Sequence, residues 1–221
     1  MTERKSHTEP GADERVVWGI VSSRALRVHW ALIELDLDYR TERIQSRTGQ
    51  TQTAQFTAMN PGQKIPVFQD GELTMTESSA IVTYLADRYS RPGRRLIPED
   101  PMDRARYFEW MSLITMELDA TSLYVLRRHA YLPEIYGDAP AANKVAGEYF
   151  ERMINAAAAR LDDGRTHLLG DDFSGADIVM TTCLDWALNY QLPLPDQFLA
   201  YRERISQRPS YALARKANES P

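Results

Sequence analysis

The chain has 221 residues, 43% hydrophobic and 26% charged, with a formal net charge of -5 at pH 7. That length supports one large domain or two modest ones with self-sufficient cores, and the acidic balance excludes a dedicated nucleic-acid binder, which needs a basic face for phosphate. No apolar run approaches the roughly 20 residues that span a bilayer. A single cysteine, Cys183, permits no internal disulfide, so cytoplasmic residence is expected. The histidines, His7, His29, His129 and His167, are scattered without an HExxH pattern or a Cys/His cluster, and predict no metal site.

Residues 1–15 are polar and mixed in charge, and read as a flexible tail rather than a signal peptide. Val16 to Val21, broken only by Gly19, predicts a buried strand. Leu26, Trp30, Ile33 and Leu37 recur at helical spacing and predict a helix from about Arg24 to Leu35. Asp38 to Ile44 alternates and suits a second strand, parallel to the first through a right-handed crossover. Gln45 to Gln55 is polar, a loop or irregular helix ending near Asn60-Pro61-Gly62. Val67-Phe68 and Leu73-Thr74-Met75 flank Asp70-Gly71 as an antiparallel hairpin. Ser78 to Tyr89 follows as a helix with Ile81, Val82, Leu85 and Tyr89 inside. The expected unit, residues 16–90, is α/β with one mixed four-stranded sheet.

Residues 91–98 carry Pro92-Gly93 and read as a linker. Residues 99–221 show no strand signal and predict an all-helical unit. Met102 to about His129 is one long amphipathic segment. Ala141 to Asp162 is another, with Val145, Tyr149, Met153, Ile154, Ala157 and Leu161 as its apolar face. Ser174 and Asp177 form a capping box for a helix reaching about Tyr190, with Phe173 as a staple on Ile178. Phe198 to Ser206 is a short helix, and Pro209 opens a frayed tail. Cys183 falls inside the capped helix as a packing residue.

Asn60-Pro61, Lys64-Ile65-Pro66-Val67, Asp70-Gly71, Glu77-Ser78-x-Ala80-Ile81, Tyr84-Leu85 and the Ser174-x-x-Asp177 box occur in that order over most of the chain. In this arrangement the chain resembles the soluble glutathione transferases with a serine-type active site. The resemblance implies a thioredoxin-like N-terminal domain that binds glutathione and an all-α C-terminal domain that binds a hydrophobic electrophile. It also implies a homodimer.

Glutathione carries two carboxylates, an ammonium and a thiol that is mostly protonated at neutral pH. By resemblance Pro66 follows a cis bond, turning the Ile65 backbone toward the cysteinyl backbone of the ligand; alone, a proline there equally starts a strand. Ser78, at a helix N-terminus, is placed for the γ-glutamyl carboxylate, with Glu77 for the ammonium; without that context Ser78 is an ordinary cap. Lys64 or the loop around Gln50 is left for the glycyl carboxylate. Matching Leu26-Arg27-Val28 to serine-type members puts the catalytic hydroxyl at Ser22. Ser23 takes the role if the strand ends one residue later, and both serines also suit plain turn and cap roles. A hydroxyl donor stabilises thiolate over thiol. No cysteine occupies this turn, which disfavours disulfide chemistry through the protein.

Tyr107, Trp110, Met111 and Ile114 are candidates for the electrophile pocket, with the same spacing equally suited to core packing. The expected function is conjugation of the glutathione thiolate to a hydrophobic electrophile. Peroxidase, dehalogenase or isomerase chemistry on the same site, or ligand binding without turnover, are the alternatives.

Overall fold

The computed structural model describes residues 15–161 and 164–219. The expected tail lies outside them apart from Arg15, as does Asp162 at the end of the second long helical segment. β1 (Arg15–Trp18) pairs in parallel with β2 (Arg40–Glu42) and antiparallel with β3 (Val67–Asp70), which turns into β4 (Leu73–Met75). The strand order is β2-β1-β3-β4. α1 (Ser23–Glu34) makes the crossover between β1 and β2, a short α2 (Ala54–Met59) precedes β3, and α3 (Ser78–Tyr89) follows β4.

β1 stops at Trp18 rather than running to Val21, because Gly19 (φ 136°) and Val21 (φ 55°) leave the extended region. Glycine is required at 19 on two counts: the backbone angle, and a Cβ there would lie 2.8 Å from the Cβ of Ile65. His29 on α1 holds this strand end. One ring nitrogen, Nε2, sits 3.0 Å from the Gly19 carbonyl and the other, Nδ1, 3.0 Å from the Tyr39 hydroxyl. A carbonyl only accepts, so Nε2 carries the proton and Nδ1 accepts from Tyr39. Burial pushes the imidazole pKa down to about 4, with the Gly19 bond opposing and Arg43 assisting.

The helical half begins at α4 (Pro101–Ser112), capped by the Asp100 carboxylate on the Met102 and Asp103 N–H groups. The helix continues through π-type turns over Leu113–Leu123 into α5 (Tyr124–His129); the Tyr124 N–H donates to the carbonyl of Asp119, five residues back. α6 (Pro133–Tyr136) and α7 (Pro140–Ala158) follow, then α8 (Gly175–Asn189), α9 (Asp196–Ser206) and α10 (Pro209–Ala217).

Two expectations need correction. The buried face of α7 is Ala146, Phe150, Ile154, Ala157 and Ala158, while Val145 is 63% exposed: Ile154, Ala157 and, just beyond the helix, Leu161 are buried as expected, but the first half of the stripe runs one position later, through Ala146 and Phe150. The frayed tail after Pro209 is instead helix α10. Proline is pre-shaped for the first turn of a helix, and Tyr211 and Ala214, three apart, bury one face of it.

α8 is the central helix of this half, buried from Gly175 to Ala187. The Asp177 carboxylate accepts from the Ser174 N–H (2.8 Å), the Ser174 hydroxyl (2.7 Å), the Leu168 N–H (2.9 Å) and the Tyr201 hydroxyl (2.7 Å). One carboxylate thus fixes the start of α8, the preceding loop and α9. Asp177→Ala orphans four buried donors and is expected to destabilise the protein by about 3 kcal/mol or more, read by chemical denaturation.

His29 gives the acid limb of stability a defined sign. Its folded pKa lies below the unfolded value of about 6.5, so between these pH values the unfolded chain takes up a proton that the native state refuses. Stability therefore falls as pH drops from about 6.5 to about 4, by roughly 2–3 kcal/mol. Denaturation midpoints at pH 7 and pH 4.5 are expected to differ by that much less in His29→Gln.

Candidate active site

The turn from β1 into α1 carries the two serines. Ser22 is the N-cap of α1: its Oγ accepts from the Arg24 N–H (3.2 Å) and the Ala25 N–H (3.3 Å). With its oxygen engaged by two donors, the hydroxyl proton is what remains to offer outward. The turn is held from behind by Asn218, just past α10. Its carbonyl accepts from the Val21 N–H (2.7 Å) and its side-chain oxygen from the Ser22 N–H (3.4 Å).

A cavity of about 410 Å³ opens in front of this turn, within the range of small-molecule sites. Val21, Ser22, Ser23 and Arg24 form one wall, with Lys64 and Ile65 beside them. The opposite wall comes from Tyr124 and Arg127 on α5, and from Trp186 and Asn189 on α8 with Tyr190 just beyond. The Ile65-Pro66 peptide is cis. Sheet pairing of this segment begins only at Val67, against Trp18, so the Ile65 backbone stands outside the ladder.

Of the expected glutathione contacts, Ser22, Ser23, Lys64 and Ile65 share this cavity, with Pro66 next to it in sequence. Glu77 and Ser78 begin α3 away from its wall, Glu77 exposed and at φ 65°, Ser78 buried. Gln50 does not face the site: its side-chain oxygen accepts from the Gln45 N–H (2.9 Å) and the Thr48 hydroxyl (3.0 Å) within its own loop.

The expected electrophile residues are also displaced. Tyr107, Trp110, Met111 and Ile114 are all buried in the core, none on the cavity wall. The Tyr107 hydroxyl bonds Thr83 on α3 (3.1 Å) and lies where a side chain on Gly175 would sit; Trp110 lies under the Arg160 guanidinium at 4.2 Å. Their stripe faces α3, α7 and α8. The cavity is reached only after the π-type turns, at Tyr124.

Behind the cavity lies a charged network that sequence reasoning missed. Arg27 on α1 is 1% exposed, and donates to Asp119 (2.7 Å), Thr182 (2.8 Å), Ser78 (3.2 Å) and the Cys183 sulfur (3.1 Å). Arg24 pairs with the same Asp119 carboxylate. Burial alone raises the Asp119 pKa, but Arg27 and then Arg24 more than offset it and hold the carboxyl below its ordinary value. Burial pushes the Cys183 thiol up to about 12, so this cysteine is no nucleophile at neutral pH. Two guanidiniums on one carboxylate leave net positive charge at the N-terminal end of α1, where an anion is favoured. The signals for this network were an acid inside an apolar helix, Leu118-Asp119-Ala120, and an arginine on the inner face of α1.

Comparison with known proteins gives the same picture. The sequence model described as the glutathione S-transferase N-terminal domain matches residues 15–87, and that of the glutathione S-transferase C-terminal domain matches residues 126–210. A glutathione S-transferase of Hyoscyamus muticus is 29% identical over 161 residues, covering 72% of this chain and 74% of that protein. The crystal structure of a glutathione transferase from Methylococcus capsulatus superposes with a TM-score of 0.80 at 28% identity, covering 92% of this chain and 98% of that one. A theta class glutathione S-transferase from Xanthomonas axonopodis pv. citri, solved with glutathione bound, superposes with a TM-score of 0.75 at 26% identity over 91% and 96% of the two chains. With the four-stranded mixed sheet, the helical second half and the serine-capped helix facing a cavity, these matches make the chain a member of the soluble glutathione S-transferase family.

Proposed function

We propose that the chain binds glutathione, holds its thiol as the thiolate and transfers it to a hydrophobic electrophile. The observation that carries this reading is the Ser22 hydroxyl. Its oxygen is occupied by two backbone donors, it caps a 12-residue helix and it faces the same cavity as Ile65. Glutathione bound to the Xanthomonas relative supports the choice of first substrate.

In this reading Ser22 donates to the sulfur, and the α1 N-terminus with Arg24 and Arg27 adds positive potential, both favouring the thiolate. The thiol proton leaves to solvent. Sulfur then forms a bond to the electrophilic carbon and the leaving group departs with its bonding pair. Ser22 is bonded to no histidine among the described residues, so it serves as a donor and not as a covalent nucleophile. The Ile65 backbone pairs with the cysteinyl backbone. The Ser78 hydroxyl accepts from Arg27 and has its proton free for the γ-glutamyl carboxylate. Glu77 takes the ammonium and Lys64 the glycyl carboxylate. The substrates divide between residues 16–90 and 99–221, with Tyr124, Trp186 and Tyr190 as the apolar wall for the electrophile.

No helix among the described residues is long and apolar enough to cross a membrane, and with a lone buried cysteine the reading places the chain in the cytoplasm. A homodimer is part of it: Met102, Phe108 and Met116 stand exposed along α4 and the π-type turns, supporting a contact there.

Ser22→Ala is expected to raise the pKa of the bound thiol by about two units, read from the ultraviolet absorbance of bound thiolate. It should lower kcat for a chlorodinitrobenzene by about 100-fold. Unchanged thiolate absorbance would remove Ser22 from the mechanism. Sedimentation of the native chain is expected to give twice the chain mass, and Phe108→Glu to shift it toward the monomer.

A further inference from the structure

The cavity wall carries four cations, Arg24, Arg47, Lys64 and Arg127, and among the described residues no carboxylate lines it. Two of the four have assigned partners. Arg24 is held by Asp119, and Lys64 is assigned to the glycyl carboxylate in the reading above, on which this inference rests. Arg47 is exposed at the cavity and has no ion pair among the described residues. Arg127 is half-buried on α5, with its guanidinium 5.5 Å from the Tyr124 ring and no carboxylate partner among the described residues.

Arg127 also shares the wall with a flat aromatic surface. Tyr190 stacks on Tyr131 with ring centres 3.7 Å apart and an interplanar angle of 7°, and the Tyr131 hydroxyl donates to the Tyr190 carbonyl at 2.8 Å. Trp186 meets Tyr190 edge-on at 5.9 Å. This side of the cavity is thus braced before any ligand arrives. A half-buried guanidinium without a counter-ion, beside fixed aromatic faces, fits a planar ligand bearing a carboxylate. The fork of N–H donors matches the two oxygens, and reduced solvent contact strengthens the pair.

We propose that the second substrate of this protein is an anionic electrophile, an aromatic or conjugated acid whose carboxylate pairs with Arg127 while its reactive carbon faces the sulfur at Ser22. A neutral electrophile of the same shape leaves that guanidinium unpaired as water is displaced, so the preference has a physical cost behind it. In the displacement itself the sulfur–carbon bond forms on the ring, the carbon–chlorine bond breaks, and chloride leaves with the electron pair. The carboxylate takes no part in the chemistry.

The test compares para-chloro-meta-nitrobenzoate with the matching benzamide, at saturating glutathione. Each kcat/KM is divided by the rate constant of the uncatalysed reaction with free glutathione, which removes the difference in ring activation. The wild-type chain is expected to favour the benzoate by about tenfold, Arg127→Gln to abolish the preference, and Arg127→Lys to keep part of it. Absence of a preference in the wild type, or its survival in Arg127→Gln, overturns the proposal. A raised KM for glutathione in Arg127→Gln, equal with both electrophiles and with the benzoate:benzamide ratio intact, overturns it too and assigns Arg127 to glutathione. If neither compound is conjugated, it is the transferase reading that fails. The anion site is then judged by Trp186 fluorescence titration in the presence of glutathione, where equal affinity for benzoate and benzamide overturns it.

Discussion

Arg27 reaches into three other parts of the molecule at once. It leaves α1, crosses to the start of α3 at Ser78, meets Asp119 in the π-type turns and ends against Thr182 and Cys183 on α8. A guanidinium removed from water to this degree is tolerated only when it has a counter-charge and its donors are used, and here groups from different halves of the chain supply both, with the Asp119 carboxylate shared between Arg27 and Arg24. A buried pair of this kind adds little net stability over well-packed apolar residues. Removing one partner, however, costs about 3–5 kcal/mol. Arg27 ties α1 and α3 of the first half to the π-type turns and α8 of the second. The cavity lies along that seam, so its shape inherits the precision of the pair.

The same arrangement of a hydroxyl recurs at both helix starts. Ser22 receives two backbone N–H groups and Ser78 receives Arg27. In each case the oxygen accepts from the protein side, twice at Ser22 and once at Ser78, and in the reading proposed above the proton is left for a ligand anion. Two neutral groups are thereby made into directed donors at the positive ends of α1 and α3. Donors fixed in this way do not reorganise when charge develops on the ligand, which is the condition under which hydrogen bonding favours an ion over its neutral form.

How much of this was legible in the chain follows the range of each interaction. The Asp70-Gly71 hairpin, α3 and the Ser174/Asp177 box are set by residues a few positions apart and could be read directly; the cis bond at Ile65-Pro66 follows only from the family resemblance, since a proline there equally starts a strand. The turn carrying Ser22 and Ser23 could be located because β1, the turn and α1 are contiguous, while the choice of Ser22 as the thiol donor rests on the family resemblance. The cavity's far wall could not. Helical spacing announces that Tyr107, Met111 and Ile114 share a face, but it says nothing about what that face meets. The π-type turns after Ser112 then change the angular step, so the phase read from α4 does not carry forward to Tyr124. Asp119 was invisible for a related reason: its partners lie 92 and 95 residues away on α1. Pro209 was read as an ending when proline equally serves as a beginning.

The bond between Ser22 and Asn218 joins residues 196 positions apart. The Val21–Ser22 turn is contiguous with β1 and α1, yet its backbone N–H groups find their partners only when α10 has docked with Asn218 behind them. Without that docking the Ser22 Oγ can still cap α1 through the Arg24 and Ala25 N–H groups, but the backbone that carries it lacks its support from behind. The sheet is paired by its own strands, whereas the serine turn depends on a helix far along the chain, so the two respond separately to a loosening of α10.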